Sequence, residues 1–400
     1  MQQPKFQRKQ LKNGMTILFE KRDNEIVSIA FAVRQGGINE KAEEKGISHF
    51  IEHMLYKGTE KRNSKQISSE IEKNGGVLNG FTDEELTAYW CKIPSKHIDV
   101  ALDVLGDMVK NPKFDEEELE KERKVIFEEM KMYKDNPRLY VMENGLKKTL
   151  YGGDFSIPLI GTENSMKGND KEKLKELFER VYSPNNMILC IVGDVDFEKI
   201  CEVVEKNFRG VGKNPPKIQI KKINKTIIEK KKGIDQANLI FSYHAPEASK
   251  KERHIAQVLS CIMTGGMSSR LFQEIREKRN LAYAVKGDYV GGKEYGYNFI
   301  FVGTSVENVD KVKELIISEF KKIENLTEKE LGEAKEQLIG NNKISREDSQ
   351  EQMVDLLSHE ISGKAEDSYN FEKEIRQVKL EDVKNLANFK DYSFFALLPE

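Results

Sequence analysis

His49, Glu52 and His53 stand together in the segment His49-Phe50-Ile51-Glu52-His53, in a chain of 400 residues with only six histidines. Wound as an α-helix, these three positions point to one side. Imidazoles at i and i+4 can then share one metal ion. Zinc suits such a place, because catalytic zinc takes three nitrogen or oxygen ligands from the protein and keeps a fourth position open for water. The ion lowers the pKa of that water to about 7, and a neighbouring carboxylate can take its proton. The pattern reads as a hydrolytic metal centre, with His49 and His53 as ligands and Glu52 as general base.

A third ligand must come from an element packed across this helix. Residues 116–130 are dense in carboxylates, among them Glu117, Glu118, Glu120, Glu122, Glu128 and Glu129. Most of such a run is a solvated helix face. Glu122 and Glu129 are two helical turns apart and share a face, with Val125 and Ile126 expected on the buried side between them. The pattern alone leaves both Glu128 and Glu129 open as the ligand. His97, His244, His254 and His359 are isolated and read as ordinary surface or core residues, and Tyr89 and Trp90 as packing residues.

The elements that must position these residues follow from periodicity and turn chemistry. Strands are expected over 15–19, after an Asn13-Gly14 turn, and over 26–33, ending at Gly36-Gly37. Helices are expected over 47–56 and 64–73, the second stopped by Asn74-Gly75-Gly76. Strands over 77–81 and 86–93 come next. Residues 95–130 then read as helical, broken at Asn111-Pro112, before a short buried strand over 186–192. Gly210, Gly212, Pro215 and Pro216 mark a linker. Beyond it the same order returns: strands over 226–229 and 238–243, helices, strands over 283–290 and 297–304, and a long helical tail. The reading is an α+β protein of two duplicated domains, each a mostly antiparallel sheet packed with helices. Their expected extents are 1–210 for the metal-binding catalytic domain, 211–222 for the linker and 223–400 for the second domain.

Composition narrows the partners. Lys and Arg number 65 against 67 Asp and Glu, so near-neutrality gives no electrostatic case for nucleic acid or anionic membrane. The four cysteines, Cys91, Cys190, Cys201 and Cys261, form no C-x-x-C pair, which speaks against a thiolate zinc site and fits a reducing, cytoplasmic setting. No apolar run reaches membrane-spanning length, and the polar, basic residues 1–12 show no secretory signal.

The segment from Gly46 to Thr59, GISHFIEHMLYKGT, resembles the pitrilysin/insulinase family of zinc metallopeptidases. Within it the chain is most similar to the short members related to mitochondrial processing peptidase, and H-x-x-E-H is the inverzincin order of the zinc motif. The resemblance implies a third ligand about 76 residues beyond the second histidine, which selects Glu129. It implies that Glu122 supports a ligand histidine, and that Asn74-Gly75-Gly76 with Leu78-Asn79-Gly80-Phe81-Thr82 forms a substrate-binding edge strand. Asn79, Gly80 and Phe81 would then contact substrate. Gly80 departs from the alanine common in relatives, and Tyr56 stands where relatives often carry Phe, at the wall of the pocket after the cleaved bond. In the second half, Gly265-Gly266-Met267-Ser268-Ser269-Arg270-Leu271-Phe272 leads to Arg276 and Tyr283, the Arg/Tyr pair that in relatives helps bind substrate at the zinc site. No second H-x-x-E-H follows, so one Zn2+ per chain is implied.

On this basis the expected protein is an endopeptidase that cleaves unstructured peptides through a zinc-activated water. Two such domains make half of a clamshell. A homodimer is therefore expected to close a chamber around the peptide, with Arg276 and Tyr283 acting on the other subunit's zinc site. The alternative is a non-catalytic or partner-dependent subunit of a processing-peptidase-like complex.

Overall fold

The computed structural model describes residues 5–400. They form two compact units. The first comprises residues 5–129, 159–218 and 345–368, and the second residues 130–158, 219–344 and 369–400. A contiguous division at 210 and 223 follows the two sheets but not the helices. Residues 130–158 belong with the second unit and 345–368 with the first.

The first unit holds a six-stranded sheet. Its strands are β1 (Lys5–Gln10), β2 (Thr16–Lys21), β3 (Ile26–Val33), β4 (Val77–Thr82), β5 (Thr87–Pro94) and, after a two-residue strand β6 (Tyr151–Gly152) that lies outside this sheet, β7 (Met187–Gly193). The spatial order is β1-β2-β7-β3-β5-β4. All pairs are antiparallel except β2 with β7. The interior strands are apolar and buried. β7 is buried along its whole length and β3 everywhere beyond Ile26, as strands covered on both faces must be. The helix Ser349–Ser362 is one of those covers: the Ser28 and Ser349 hydroxyls lie 2.8 Å apart and Gln352 donates to Glu20.

The second unit repeats the plan. After β8 (Lys221–Lys222), which pairs with β6, come β9 (Thr226–Lys231), β10 (Ala237–His244), β11 (Ala282–Gly291), β12 (Gly296–Thr304) and β13 (Ser393–Pro399). Their order is β11-β12-β10-β13-β9, with β9 and β13 the one parallel pair. With β1 set aside, both sheets read first, last, second, fourth, third strand of their own half, and the parallel pair falls at the same place. That shared topology is the duplication expected from the order of elements. The expected helical tail is corrected at its end, where Ser393–Pro399 is a buried strand rather than helix.

Four helices matter for the site: α1 (Ile47–Leu55), α2 (Ser64–Glu72), α3 (Ile98–Met108) and α4 (Glu116–Asp135). α1 buries Ile47, Phe50, Ile51, Met54 and Leu55, an i, i+3, i+4, i+7 stripe, and turns His49, Glu52 and His53 the other way. Gly46 starts it at φ +89°, where a Cβ would lie 2.4 Å from the Ile160 carbonyl. The Glu40 carboxylate accepts from the Gly46 and Ser48 amides, satisfying the orphan donors of the first turn. Asn63 caps α2 reciprocally with Gln66. α4 buries Leu119, Glu122, Arg123 and Ile126, whereas Val125 is 48% exposed and not on the buried side. In a helix, 126 lies four residues from 122 and shares its face, and 125 falls at its margin.

Candidate metal centre

α1 and α4 meet through a charge set on an aromatic ring. The Arg123 guanidinium lies 5.2 Å from the Phe50 ring centroid and donates to the Met166 and Asn169 carbonyls. That contact fixes the rotation of α4, so Glu122 and Glu129 face α1. His49 Nε2 is 3.2 Å and His53 Nε2 3.8 Å from Glu129 Oε2. The donor atoms of His49, His53 and Glu129 all lie within 4.8 Å of one another. Glu128, one residue back, is exposed.

The outer nitrogens are held separately. His53 Nδ1 is 3.1 Å from Glu122 Oε2, and the other Glu122 oxygen is 2.7 Å from Lys57 Nζ. Burial alone would raise the Glu122 pKa, but His53 and Lys57 outweigh it and hold the carboxyl below the usual range. His49 Nδ1 faces Glu52 Oε2 at 3.6 Å. Burial disfavours charge on His49, yet Glu129 and Glu52 prevail and raise its pKa to about 9 in the metal-free protein. Two imidazole nitrogens and a carboxylate oxygen make a nitrogen/oxygen donor set suited to zinc. Orienting one imidazole from its far nitrogen is the support that metal-binding histidines need. His49, His53 and Glu129 therefore fit such an ion.

β4 runs alongside at the free edge of its sheet, hydrogen-bonded to β5 only. Thr82 Oγ1 donates to Glu52 Oε2 at 2.6 Å. Gly80 faces the same way: a Cβ there would sit 2.6 Å from the Tyr56 hydroxyl, 2.9 Å from the Ala88 carbonyl and 3.2 Å from Glu52 Oε1. Gly80 is thus glycine because the Tyr56 hydroxyl and the Ala88 carbonyl, with Glu52 just beyond them, fill the space of a methyl. Strand pleating turns Asn79 and Phe81 to the opposite face. The Asn79 side chain accepts from the Gly80 amide, so these two residues bring backbone rather than side chains to the Glu52 side.

Tyr56 lies beside a buried phenol pair, Tyr89 and Tyr182, whose hydroxyls are 2.8 Å apart. Its own hydroxyl is buried and meets no hydrogen-bond partner. Burial and the Glu52 charge push its pKa well above the ordinary phenol value. Arg276 and Tyr283 belong to the second unit. There the Arg276 guanidinium stacks 4.8 Å from the Phe272 ring centroid and 5.9 Å from that of Tyr283, which is 78% exposed at the start of edge strand β11.

Three of the remaining four histidines have other partners: His244 bonds the Ile223 carbonyl, His254 the Gln257 side chain and His359 the Asp355 carbonyl. Thr82 and Lys57 lie inside the segments that carry the resemblance, but the sequence singles out neither for a role. The signal for Thr82 was alternation, since it stands two residues beyond Gly80 on the same strand face.

Comparison with known proteins identifies the family. The family model described as insulinase (peptidase family M16) matches residues 16–163, and the one described as peptidase M16 inactive domain matches residues 170–338. The chain belongs to the M16 peptidase family. It is 31% identical to the "uncharacterized zinc protease YmxG" of Bacillus subtilis, over 97% of each chain. It is 32% identical to an "uncharacterized zinc protease" of Rickettsia felis, over 96% of this chain and 94% of that one. Its fold matches a protease from Helicobacter pylori, with a TM-score of 0.91 and 22% identity over 99% of this chain and 100% of that one. It also matches a peptidase M16 inactive domain structure from Pseudomonas fluorescens, with a TM-score of 0.89 and 19% identity over 99% and 98%.

Proposed function

We propose that the chain is a zinc-dependent endopeptidase acting on unstructured peptides. The observation that carries this reading is the convergence of His49 Nε2 and His53 Nε2 on Glu129, with the Glu52 carboxylate beside them. His49, His53 and Glu129 would hold one zinc ion per chain, and Glu122 would orient His53. When bound, zinc supplies Lewis acidity at the scissile carbonyl and makes water reactive at neutral pH. Glu52 takes the proton from the attacking water and passes it to the leaving amine. The peptide lies extended along the free edge of β4, held by main-chain hydrogen bonds at Asn79, Gly80 and Phe81. Such pairing reads backbone more than sequence, so cleavage specificity is loose. Tyr56 lines the pocket beyond the cleaved bond.

The family resemblance supports a homodimer that closes a chamber, with Arg276 and Tyr283 of one subunit binding substrate at the other subunit's zinc site. All four cysteines are free and buried, in keeping with a cytoplasmic setting. Among the described residues no helix is long and apolar enough to cross a membrane. A non-catalytic subunit would have no use for the full set of His49, Glu52, His53, Glu122 and Glu129. The test is digestion of a mixture of unstructured peptides by the purified chain, read by mass spectrometry. Cleavage that stops on chelation and returns with zinc supports the reading. No cleavage by the zinc-loaded chain would favour the non-catalytic subunit.

A further inference from the structure

Glu52 is useful as a base only if its carboxylate stays aimed, and the carboxylate of a helix residue turns freely about its last torsion. Two hydroxyls flank it. Thr82 donates to Oε2 at 2.6 Å. Thr82 is itself fixed: it closes β4 opposite Thr87, which is wholly buried and donates to the Gln35 carbonyl. On the other side, the Tyr56 hydroxyl and Glu52 Oε1 approach the same point, the missing Cβ of Gly80. That phenol is buried without a partner, a costly state for a donor. It stays protonated, since burial and the Glu52 charge both oppose its ionisation.

We infer that Thr82 is the positioning residue of Glu52, with the Tyr56 phenol as the second jaw of the clamp and Gly80 as the residue that admits it. The inference rests on Glu52 being the base. Neither hydroxyl need touch substrate or metal. Thr82 acts by holding one oxygen of Glu52, which leaves the other to meet water. Tyr56 limits the swing of that second oxygen. Removing the threonine hydroxyl lets the carboxylate rotate, and misplacement of a reacting group by about 1 Å costs on the order of 100-fold.

The experiment compares Thr82→Val, which keeps shape and loses the hydroxyl, with Thr82→Ser, which keeps the hydroxyl. The expected result for Thr82→Val is a fall in kcat of about 10- to 100-fold, with KM within about twofold and zinc content unchanged. Thr82→Ser should return to within about threefold of the parent. In metal-free protein, the Glu52 carboxylate infrared band, isolated by subtracting the Glu52→Gln spectrum, should shift in Thr82→Val and return in Thr82→Ser. Full activity in Thr82→Val, equal loss in Thr82→Ser, or an unmoved band would overturn the role of Thr82. For the second jaw, Gly80→Ala should impair kcat in the parent and much less in Tyr56→Phe. Equal impairment in both would remove Tyr56 from the clamp. Substantial cleavage by Glu52→Gln would instead sink the assignment of Glu52 itself. An inactive Glu52→Gln beside a fully active Thr82→Val would sink this inference alone.

Discussion

The two sheets share one topology, yet the helices that precede their third strands differ in what they do. In the first unit α1 splits its surface. One stripe packs into the core, and the other presents His49, Glu52 and His53 to α4 and β4. In the second unit the corresponding helix Arg253–Thr264 buries nine of its twelve residues and is used for packing. Of the polar groups that remain there, Arg276 is half-buried in the helical turn Phe272–Glu277 and Tyr283 is exposed at the start of the edge strand β11. The same scaffold thus carries a half-buried cluster of carboxylates and imidazoles in one half and a half-buried cation beside an exposed phenol in the other. The candidate metal ligands sit in a few side chains beside one sheet edge, while the duplicated sheets supply rigid placement. The description of the second-half family model as an inactive domain matches this division.

The comparison breaks most sharply at Glu129. Glu129→Gln should weaken zinc binding by about 10³-fold, while Glu128→Gln should leave it near the parent value. Metal analysis after dialysis decides it, and equal loss in both variants would move the third ligand. Next comes the second half. Tyr283→Phe should reduce cleavage by about 100-fold with zinc retained, as loss of a donor to a developing oxyanion does. If the residue serves the other subunit, mixing Tyr283→Phe with Glu52→Gln should restore part of the activity. Proven subunit exchange without recovery would end that arrangement. Light scattering that finds a fully active monomer would end the dimer.

Much of this was legible before any coordinates. The α1 stripe repeats at helical spacing, Gly75 and Gly76 end α2's segment, and the carboxylate run places α4. What could not be read depends on long-range packing. β1, with the sequence KFQRKQ, is an exposed edge strand of charged and polar residues, so no alternation betrays it. β13 is a short apolar run, SFFALLP, which periodicity cannot tell from helix. The assignment of 130–158 and 345–368 to the units opposite their position in sequence is set by which sheet they cover. No local signal encodes that. Val125 was misplaced because one residue of helix rotation separates it from Ile126. The spacing of Glu122 and Glu129 placed them on one face, but nothing local marks Lys57 as the partner of Glu122 or Thr82 as the partner of Glu52, since both contacts come from packing between elements.

Two smaller effects sharpen the account of the first unit. Glu122→Gln should weaken zinc binding by about 10- to 100-fold, since it takes the negative charge from the partner of His53 Nδ1 but removes no ligand. Isothermal titration against a competing chelator measures it, and an unchanged affinity would make Glu122 a partner of Lys57 only. The metal-free protein holds a proton on His49 up to about pH 9, and zinc must displace it. Zinc affinity should therefore rise by about tenfold per pH unit attributable to His49 and level off near pH 9. A flat profile between pH 7 and 9 would show that His49 is already neutral there.

The most direct measurement is paired zinc analysis and peptide cleavage on Glu52→Gln. The substitution keeps the shape of the side chain and removes the base, and Glu52 is not a ligand. The account predicts about one zinc per chain, an unchanged melting temperature and cleavage reduced by about 10²- to 10⁴-fold. A zinc-loaded Glu52→Gln that cleaves within tenfold of the parent would contradict it.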